Sequence, residues 1–466
     1  MFMFIGRERE LKKLNSLYST DIFQFPVIYG RRRVGKTALI NEFIRGKDAI
    51  SFTGIESTAL QNLENLSHAI HRYVGGVGEA PIYSSFQSAL EAIFKLSENK
   101  RLIFSIDEYP YVAKAYKPFS SVLQKLIDKY KDNSQLYLIL CGSSMSFMEE
   151  QVLGYKSPLY GRRTAQFKIL PFDFAESKKY FKNFSDEDMA LIYGIVGGTP
   201  QYLLQINDSL SVEDNIKENV LDPNSYLFEE PANLLKQEVQ KASLYNAIIS
   251  AIATGSTKIS EISVKVGETT SACAICLKKL LMLGIIKKDT PFKEDSTKKT
   301  IYLIDDNLFR FWYRFVPQNL SLLQNGMIDV AYNSISTGMS TYMGMVFEEI
   351  CKQYLWRLNR TSKTPATFME LGRWWGNDPK EKKQVEIDMI AECDKDTAIF
   401  GECKWTNEKV DTKVLDTLLY RSSLFAYNNV YLYLFSKSGF TKGCVEKADE
   451  LGNVTLVTFQ DIMNNI

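Results

Sequence analysis

Two groups of residues in this 466-residue chain have the types and spacing to do phosphate chemistry. The first is Gly30-Arg31-Arg32-Arg33-Val34-Gly35-Lys36-Thr37, a G-x-x-x-x-G-K-T pattern between an apolar run, "FPVIYG", and a helix-patterned run, "KTALINEFI". Between a strand and a helix, such glycines let backbone N–H groups curl round a phosphate, and the helix N-terminus adds a favourable dipole. The loop Gly30, Arg33, Val34, Gly35 and Ala38 would cradle the phosphates of ATP. Lys36 would reach the β- and γ-phosphates, and the Thr37 hydroxyl would ligate Mg²⁺. Downstream, "LIFSIDEYP" ends a strand-like run in Asp107 and Glu108. Asp107 can hold the metal's water shell, and Glu108 can polarise an attacking water. A phosphotransferase has less use for the second carboxylate, so the pair points to ATP hydrolysis.

The second group lies near the C-terminus. In "QVEIDMIAE" Glu386 and Asp388 share one face of a strand, and in "TAIFGECKW" so do Glu402 and Lys404. A D…E-x-K arrangement on adjacent strands suits metal-dependent phosphodiester hydrolysis. Asp388 and Glu402 would hold Mg²⁺, while Lys404 positions the water or stabilises the pentavalent state. The same three residues also read as a structural charge cluster in a domain that only docks.

Composition excludes other chemistries. His68 and His71 are the only histidines, so histidine-based triads and zinc sites have little support. Seven cysteines fit reduced thiols, and Cys273 and Cys276 read as one face of a buried helix. A net charge of +1 argues against a globally basic nucleic-acid binder but leaves room for a local patch. No apolar run approaches the roughly 20 residues that span a bilayer, and the charged "MFMFIGRERELKKL" is unlike a secretory signal. A cytoplasmic protein with no membrane partner is expected.

The elements that must position these groups fall into three segments. Residues 1–225 alternate buried strands with helices, which predicts a parallel sheet covered on both faces. Residues 226–335 give three helical patterns and a short hairpin, a winged helix-turn-helix whose Thr269, Thr270, Ser271, Lys278 and Lys279 would face DNA. Lys287, Lys288, Lys293, Lys298 and Lys299 surround its wing, diluted by Glu268, Asp289, Glu294 and Asp295. With no arginine on the third helix, contact with DNA would be largely non-specific. Residues 336–466 form a closing α/β module.

Taken with their order, "FIGRERELKKL", "YGRRRVGKT", "IDEYPYV", "LCGSSMSFM", "SPLYGRRT" and "VGGTPQYL" resemble the archaeal-type AAA+ ATPases. The resemblance implies a P-loop NTPase sheet with a helical lid, with Gly6-Arg7-Glu8 helping to frame the adenine pocket. It implies that Ser143 or Ser144 senses the γ-phosphate and that the Gly-Thr-Pro element packs by the nucleotide. It also implies that Arg162 or Arg163 stabilises transition-state charge, in cis or from a neighbouring subunit of a homo-oligomer; an ordinary surface pair is the alternative. The side chains of Arg31, Arg32 and Arg33 read as pointing to solvent or a partner. The succession "FE…GRWW…EIDMIA…GECKW" is similar to the PD-(D/E)XK nuclease superfamily, a restriction-endonuclease-like fold. That match makes Glu348 the helix carboxylate beside the metal. Together these features describe an ATPase coupled to DNA binding and Mg²⁺-dependent cleavage. The alternative is an ATP-driven signalling or assembly switch whose last domain binds without cutting.

Overall fold

The computed structural model describes residues 4–78, 80–294 and 299–466. Lys298 and Asp295 of the expected wing lie outside them. By internal contacts the chain divides into two compact units, 1–172 with 199–201, and 173–198 with 202–466. Residues 173–198 and 202–225, read from the sequence as part of the first segment 1–225, group with the second unit by internal contacts. No boundary separates 226–335 from 336–466.

The first unit is built on a five-stranded sheet in the order β2-β3-β4-β1-β5, with β1 Pro26–Tyr29, β2 Ala49–Thr53, β3 Leu102–Asp107, β4 Leu136–Gly142 and β5 Ala165–Lys168. Every neighbouring pair is parallel. "PVIY" and "LYLILCG" are buried throughout because helices cover both faces. One of these helices, Phe119–Tyr130, turns Phe119, Leu123, Leu126, Ile127 and Tyr130 inward at helical spacing. Parallel strands carry their chemistry at their C-terminal ends. Gly30, Asp107 and Ser143 stand at or just beyond the ends of β1, β3 and β4.

In the second unit, helices Ala242–Ala253, Ile259–Val266 and Thr270–Met282 precede a two-stranded antiparallel hairpin, β6 Ile286–Asp289 and β7 Ile301–Ile304. Cys273 and Cys276 lie buried in the core of this module and are free thiols, as the helical pattern suggested. A mixed sheet follows in the order β12-β11-β10-β9-β8, with β8 Gly372–Asn377, β9 Gln384–Glu392, β10 Thr397–Lys404, β11 Asn429–Ser436 and β12 Val454–Thr458. β9 runs antiparallel to β8 and β10, and β10, β11 and β12 are parallel. The long helix Met339–Arg360 buries Val346, Phe347, Ile350 and Cys351. Among the described residues no helix is long and apolar enough to cross a membrane.

Candidate ATPase site and carboxylate cluster

At the end of β1 the chain must pass close beneath β5. A Cβ at Gly30 would sit 2.4 Å from the Ile169 carbonyl oxygen, so only glycine fits. The loop then takes left-handed conformations at Arg33 (φ 73°) and Gly35 (φ 87°) before the helix Lys36–Ile44 begins. This curl turns successive N–H groups toward one point at a helix N-terminus, the arrangement a phosphate needs. The Lys36 ammonium is buried and donates to the carbonyls of Gly30 (2.9 Å) and Arg31 (2.8 Å), which holds it across the loop. Thr37 Oγ1 donates to Asp107 Oδ2 at 2.7 Å. A hydroxyl beside a carboxylate is a hard oxygen-donor set, which fits Mg²⁺.

Glu108 follows in a left-handed conformation (φ 49°), its N–H donating to Asp107 Oδ1. Its carboxylate accepts from Ser143 Oγ at 2.8 Å, so Ser143 rather than Ser144 joins the strand tips. The Gly-Thr-Pro element also reaches the loop. Pro200 lies 3.6 Å from the position of a Gly35 Cβ, and Thr199 Oγ1 accepts from Arg31 Nη2 at 2.6 Å. The arginine triplet thus departs from the expected solvent-facing set, since Arg31 is buried and Arg32 donates to the Tyr111 hydroxyl.

Arg7 was expected near adenine, and its guanidinium turns inward. It donates to the carbonyls of Val34 and Leu170 and lies over the Phe172 ring at 4.4 Å. It braces the phosphate loop from below. Arg7→Ala would remove hydrogen bonds to one buried and one partly buried carbonyl, and a loss of about 1–3 kcal/mol of stability is expected. Chemical denaturation of wild type and variant measures it, and an unchanged midpoint would remove the bracing role.

Arg162 and Arg163 precede β5, whose Ala165 lies opposite Pro26 at the start of β1. Arg162 grips Asp128 with two nitrogens, at 2.8 and 2.7 Å, and Arg163 donates to the Leu153 carbonyl. The phosphate loop follows the other end of β1. Arg162 is thus committed to Asp128, while the Arg163 charge is felt at Tyr29, the residue before Gly30.

In the second unit, β10 is an interior strand, and Asp388 and Glu402 are 8% and 6% exposed. Lys404 Nζ lies 2.6 Å from Glu402 Oε1, the same-face pair that strand alternation predicts. Arg421, on the helix Thr412–Ser422, approaches Glu402 Oε2 at 3.4 Å, a partner that its sequence context did not mark. Asp388 Oδ2 accepts from the Cys403 N–H at 2.9 Å, which ties β9 to β10. Glu348, on the long helix, faces this group. Burial, reinforced by the Asp388 and Glu402 charges against partial relief from Lys352 and Arg373, pushes its carboxyl up to about 7. Burial and Asp388 raise Glu402 as well, against Lys404 and Arg421. For Lys404, burial acts to lower the ammonium, but the Glu402 charge outweighs it and the net shift is upward.

Glu348, Asp388 and Glu402 thus interact electrostatically. Among the described residues, however, no group of three or more His, Cys, Asp or Glu side chains is arranged to hold a metal ion. Both Glu402 oxygens are engaged by cations, Lys404 and Arg421. The three carboxylates supply hard oxygen donors and an excess of negative charge, a donor set that suits Mg²⁺ once the Glu402 pairs open.

Among the described residues of the expected wing, three lysines are paired and Lys288 is exposed. Phe292 is buried in the core of the mixed sheet, and its N–H donates to the Arg373 carbonyl. Lys293 pairs with Glu392, Lys299 with Glu294, and Lys287 with Asp305 and Glu349. Thr269 spends its hydroxyl capping its own helix. The exposed residues of that helix are Thr270, Ser271, Ala274, Ile275 and Lys278.

Comparison with known proteins bears out the first unit. Residues 4–206 match a family described as an ATPase domain predominantly from Archaea, and residues 312–415 match one described as archaeal and bacterial proteins of unknown function. An uncharacterised protein of Methanocaldococcus jannaschii is 36% identical over 424 residues, 90% of this chain and 92% of its own length. The chain belongs to the archaeal-type ATPases. An uncharacterised ATP-binding protein of Pyrococcus abyssi is 26% identical over 46% of this chain and 74% of its own length. The solved Walker-type ATPase of Pyrococcus abyssi has the same fold, with a TM-score of 0.50 and 20% identity over 67% of this chain and 96% of that one.

Proposed function

We propose that this archaeal-type ATPase hydrolyses ATP with Mg²⁺ and that its second unit acts on nucleic acid, the C-terminal sheet cleaving phosphodiester bonds. For hydrolysis, the carrying observation is the Thr37–Asp107 pair with Glu108 held beside it by Ser143. Mg²⁺ would sit by Thr37 and Asp107 and draw charge from the phosphates. Lys36 orients the phosphates, and Glu108 holds the attacking water and takes its proton. Arg162 or Arg163 would offset transition-state charge, in cis or toward the phosphates of a neighbouring copy in a homo-oligomer.

For cleavage, the carrying observation is the convergence of Glu348, Asp388, Glu402 and Lys404 from one helix and two strands. Asp388, Glu402 and Glu348 would hold Mg²⁺, and the ion would supply Lewis acidity. Lys404 would turn from Glu402 to the phosphate oxygens and offset their growing charge. The three helices and hairpin are a winged helix-turn-helix, with Thr270, Ser271 and Lys278 offered to a DNA backbone. A second reading, an ATP-controlled switch whose last domain binds without cutting, is favoured by the Lys404 and Arg421 pairs that close Glu402.

Labelled DNA and RNA, single- and double-stranded, incubated with Mg²⁺ or Mn²⁺ with and without ATP, distinguish the two. Lys404→Ala should reduce cleavage by about 10²-fold or more. Cleavage absent from the wild type, or unchanged by Lys404→Ala, would remove the nuclease reading. The switch instead predicts a change of oligomeric state on adding ATP that Lys36→Ala abolishes, read by light scattering.

A further inference from the structure

A cavity of about 510 Å³ opens between the helix–hairpin module and the mixed sheet of the second unit. Its walls come from both: Ile252, Leu303 and Ile304 on one side, and Met345, Glu348, Glu349 and Lys352 on the other. The last four recur at i, i+3, i+4 and i+7, so one stripe of the long helix forms that wall. Glu348 therefore stands midway along it. A second cavity of about 470 Å³ continues the first through their shared Gly255, Thr257 and Arg373, and it includes the Trp375 ring.

The cations of the first cavity differ in their commitments. Lys287 is spent on Asp305 and Glu349, and Arg310 donates to the Ile304 carbonyl and to Asn307. Arg373 pairs with Glu386 and lies over Trp375 at 5.8 Å. Arg314 and Lys352 are half-buried, and among the described residues neither side chain forms an ion pair. Lys352 feels the Glu348 and Glu349 charges on its own helix without a direct ion pair, and Arg314 lies over the Phe315 ring, so both keep capacity for an anion. Ile252, Ala253, Leu303, Ile304 and Met345 supply an apolar part that suits a flat ring, and five cations outnumber the carboxylates of Asp289, Glu348 and Glu349 in the lining. An apolar floor with cations at the wall is the chemistry of a base and its phosphate. The volume falls within the roughly 300–1,000 Å³ typical of small-ligand pockets, too small to admit a duplex. The walls are fixed in advance, because Phe292 of the hairpin is buried in the sheet's core.

We propose that this cavity is a binding site for single-stranded nucleic acid: one base rests on the Ile252–Ile304 floor, Arg314 and Lys352 take backbone phosphates, and the strand continues past Arg373 to stack on Trp375. The site deepens the nucleic-acid reading of the second unit by naming its substrate class, and it carries the strand past Glu348 toward Asp388 and Glu402. Phosphate contacts set affinity and salt dependence, while stacking tolerates any base. Binding is therefore independent of sequence and steep in salt.

Fluorescence anisotropy of a labelled mixed-sequence 12-mer tests this on the full chain in EDTA, where no cleavage occurs. The wild type should bind the single strand at least tenfold more tightly than the same sequence as a duplex. Arg314→Ala with Lys352→Ala should weaken binding at least tenfold. It should also reduce the slope of log affinity against log salt by about 1.4, at about 0.7 per phosphate contact. Arg314→Lys with Lys352→Arg should keep most of the affinity, which a merely structural role would not predict. Trp375→Ala should cost roughly tenfold. Because binding is read in EDTA, where cleavage is absent, failure of the cleavage reading and failure of this site are separable. Equal affinity for duplex, wild-type binding by the double alanine variant, or displacement of the strand by equimolar mononucleotide would each overturn the proposal, the last by assigning the cavity to a free nucleotide.

Discussion

Glu108→Gln is expected to lower ATP hydrolysis by about 10²–10⁴-fold while ATP still binds. The expectation comes from what the Glu108 carboxylate can and cannot touch. Lys36 and the curled loop carry nucleotide affinity, and neither depends on Glu108. Asp107 is already engaged by the Thr37 hydroxyl, so it is the cation's neighbour rather than the water's. Glu108 stands one residue further out, turned by its left-handed backbone (φ 49°) and oriented by the Ser143 hydroxyl. An amide at that position keeps the hydrogen bond to Ser143 but cannot accept a proton from water. Ser143→Ala should act in the same direction and more weakly, since it loosens the base without removing it. Phosphate release and fluorescent-nucleotide titration, run side by side, check both. A variant that hydrolyses at the wild-type rate would remove Glu108 as the base, and one that loses ATP binding would show the residue to be structural.

The phosphate site was legible because its determinants are local. Glycine spacing, a strand before and a helix after are all contained within residues 26–44, and Asp107 ends a buried apolar run. Strands lacking that contrast were missed. β5 is "AQFK", only partly buried, and β8 is "GRWWGN", half-exposed along its length with a register shift near Trp374. Side chains that act across the fold were equally hidden. Nothing in "GRERE" indicates that Arg7 turns under the phosphate loop, and nothing in "LLYRSS" indicates that Arg421 reaches Glu402. The wing shows the opposite error. Lys287, Lys293 and Lys299 read as free for DNA because sequence displays charge and conceals partners, and Glu349, Glu392 and Glu294 turn out to occupy them, while Lys288 stays exposed.

Glu348→Gln is expected to stabilise the second unit at pH 8 and to leave it unchanged near pH 4. Its carboxyl is pushed up to about 7 from an ordinary 4.5, first by burial and then by Asp388, with Glu402 adding less than the relief from Lys352 and Arg373. The folded state therefore holds its proton more tightly than the unfolded chain does. Below 4.5 both states are protonated and the group contributes nothing. Between 4.5 and 7 the unfolded chain gives up the proton first, so stability falls as pH rises, and above 7 the full penalty stands. A shift of this size corresponds to on the order of 3 kcal/mol. Glutamine keeps the shape and removes the charge, so in EDTA the variant should melt several degrees above wild type at pH 8, with the gap closing toward pH 4. The same substitution separates the two readings of the cluster. If the carboxylates hold a cation, Mg²⁺ at pH 8 should raise the wild-type melting temperature and do little for Glu348→Gln. A wild type indifferent to Mg²⁺, together with the same pH-dependent gain for the variant, would assign the cluster to a binding domain that does not cut. A gap independent of pH would mean that Glu348 does not carry this strain at all.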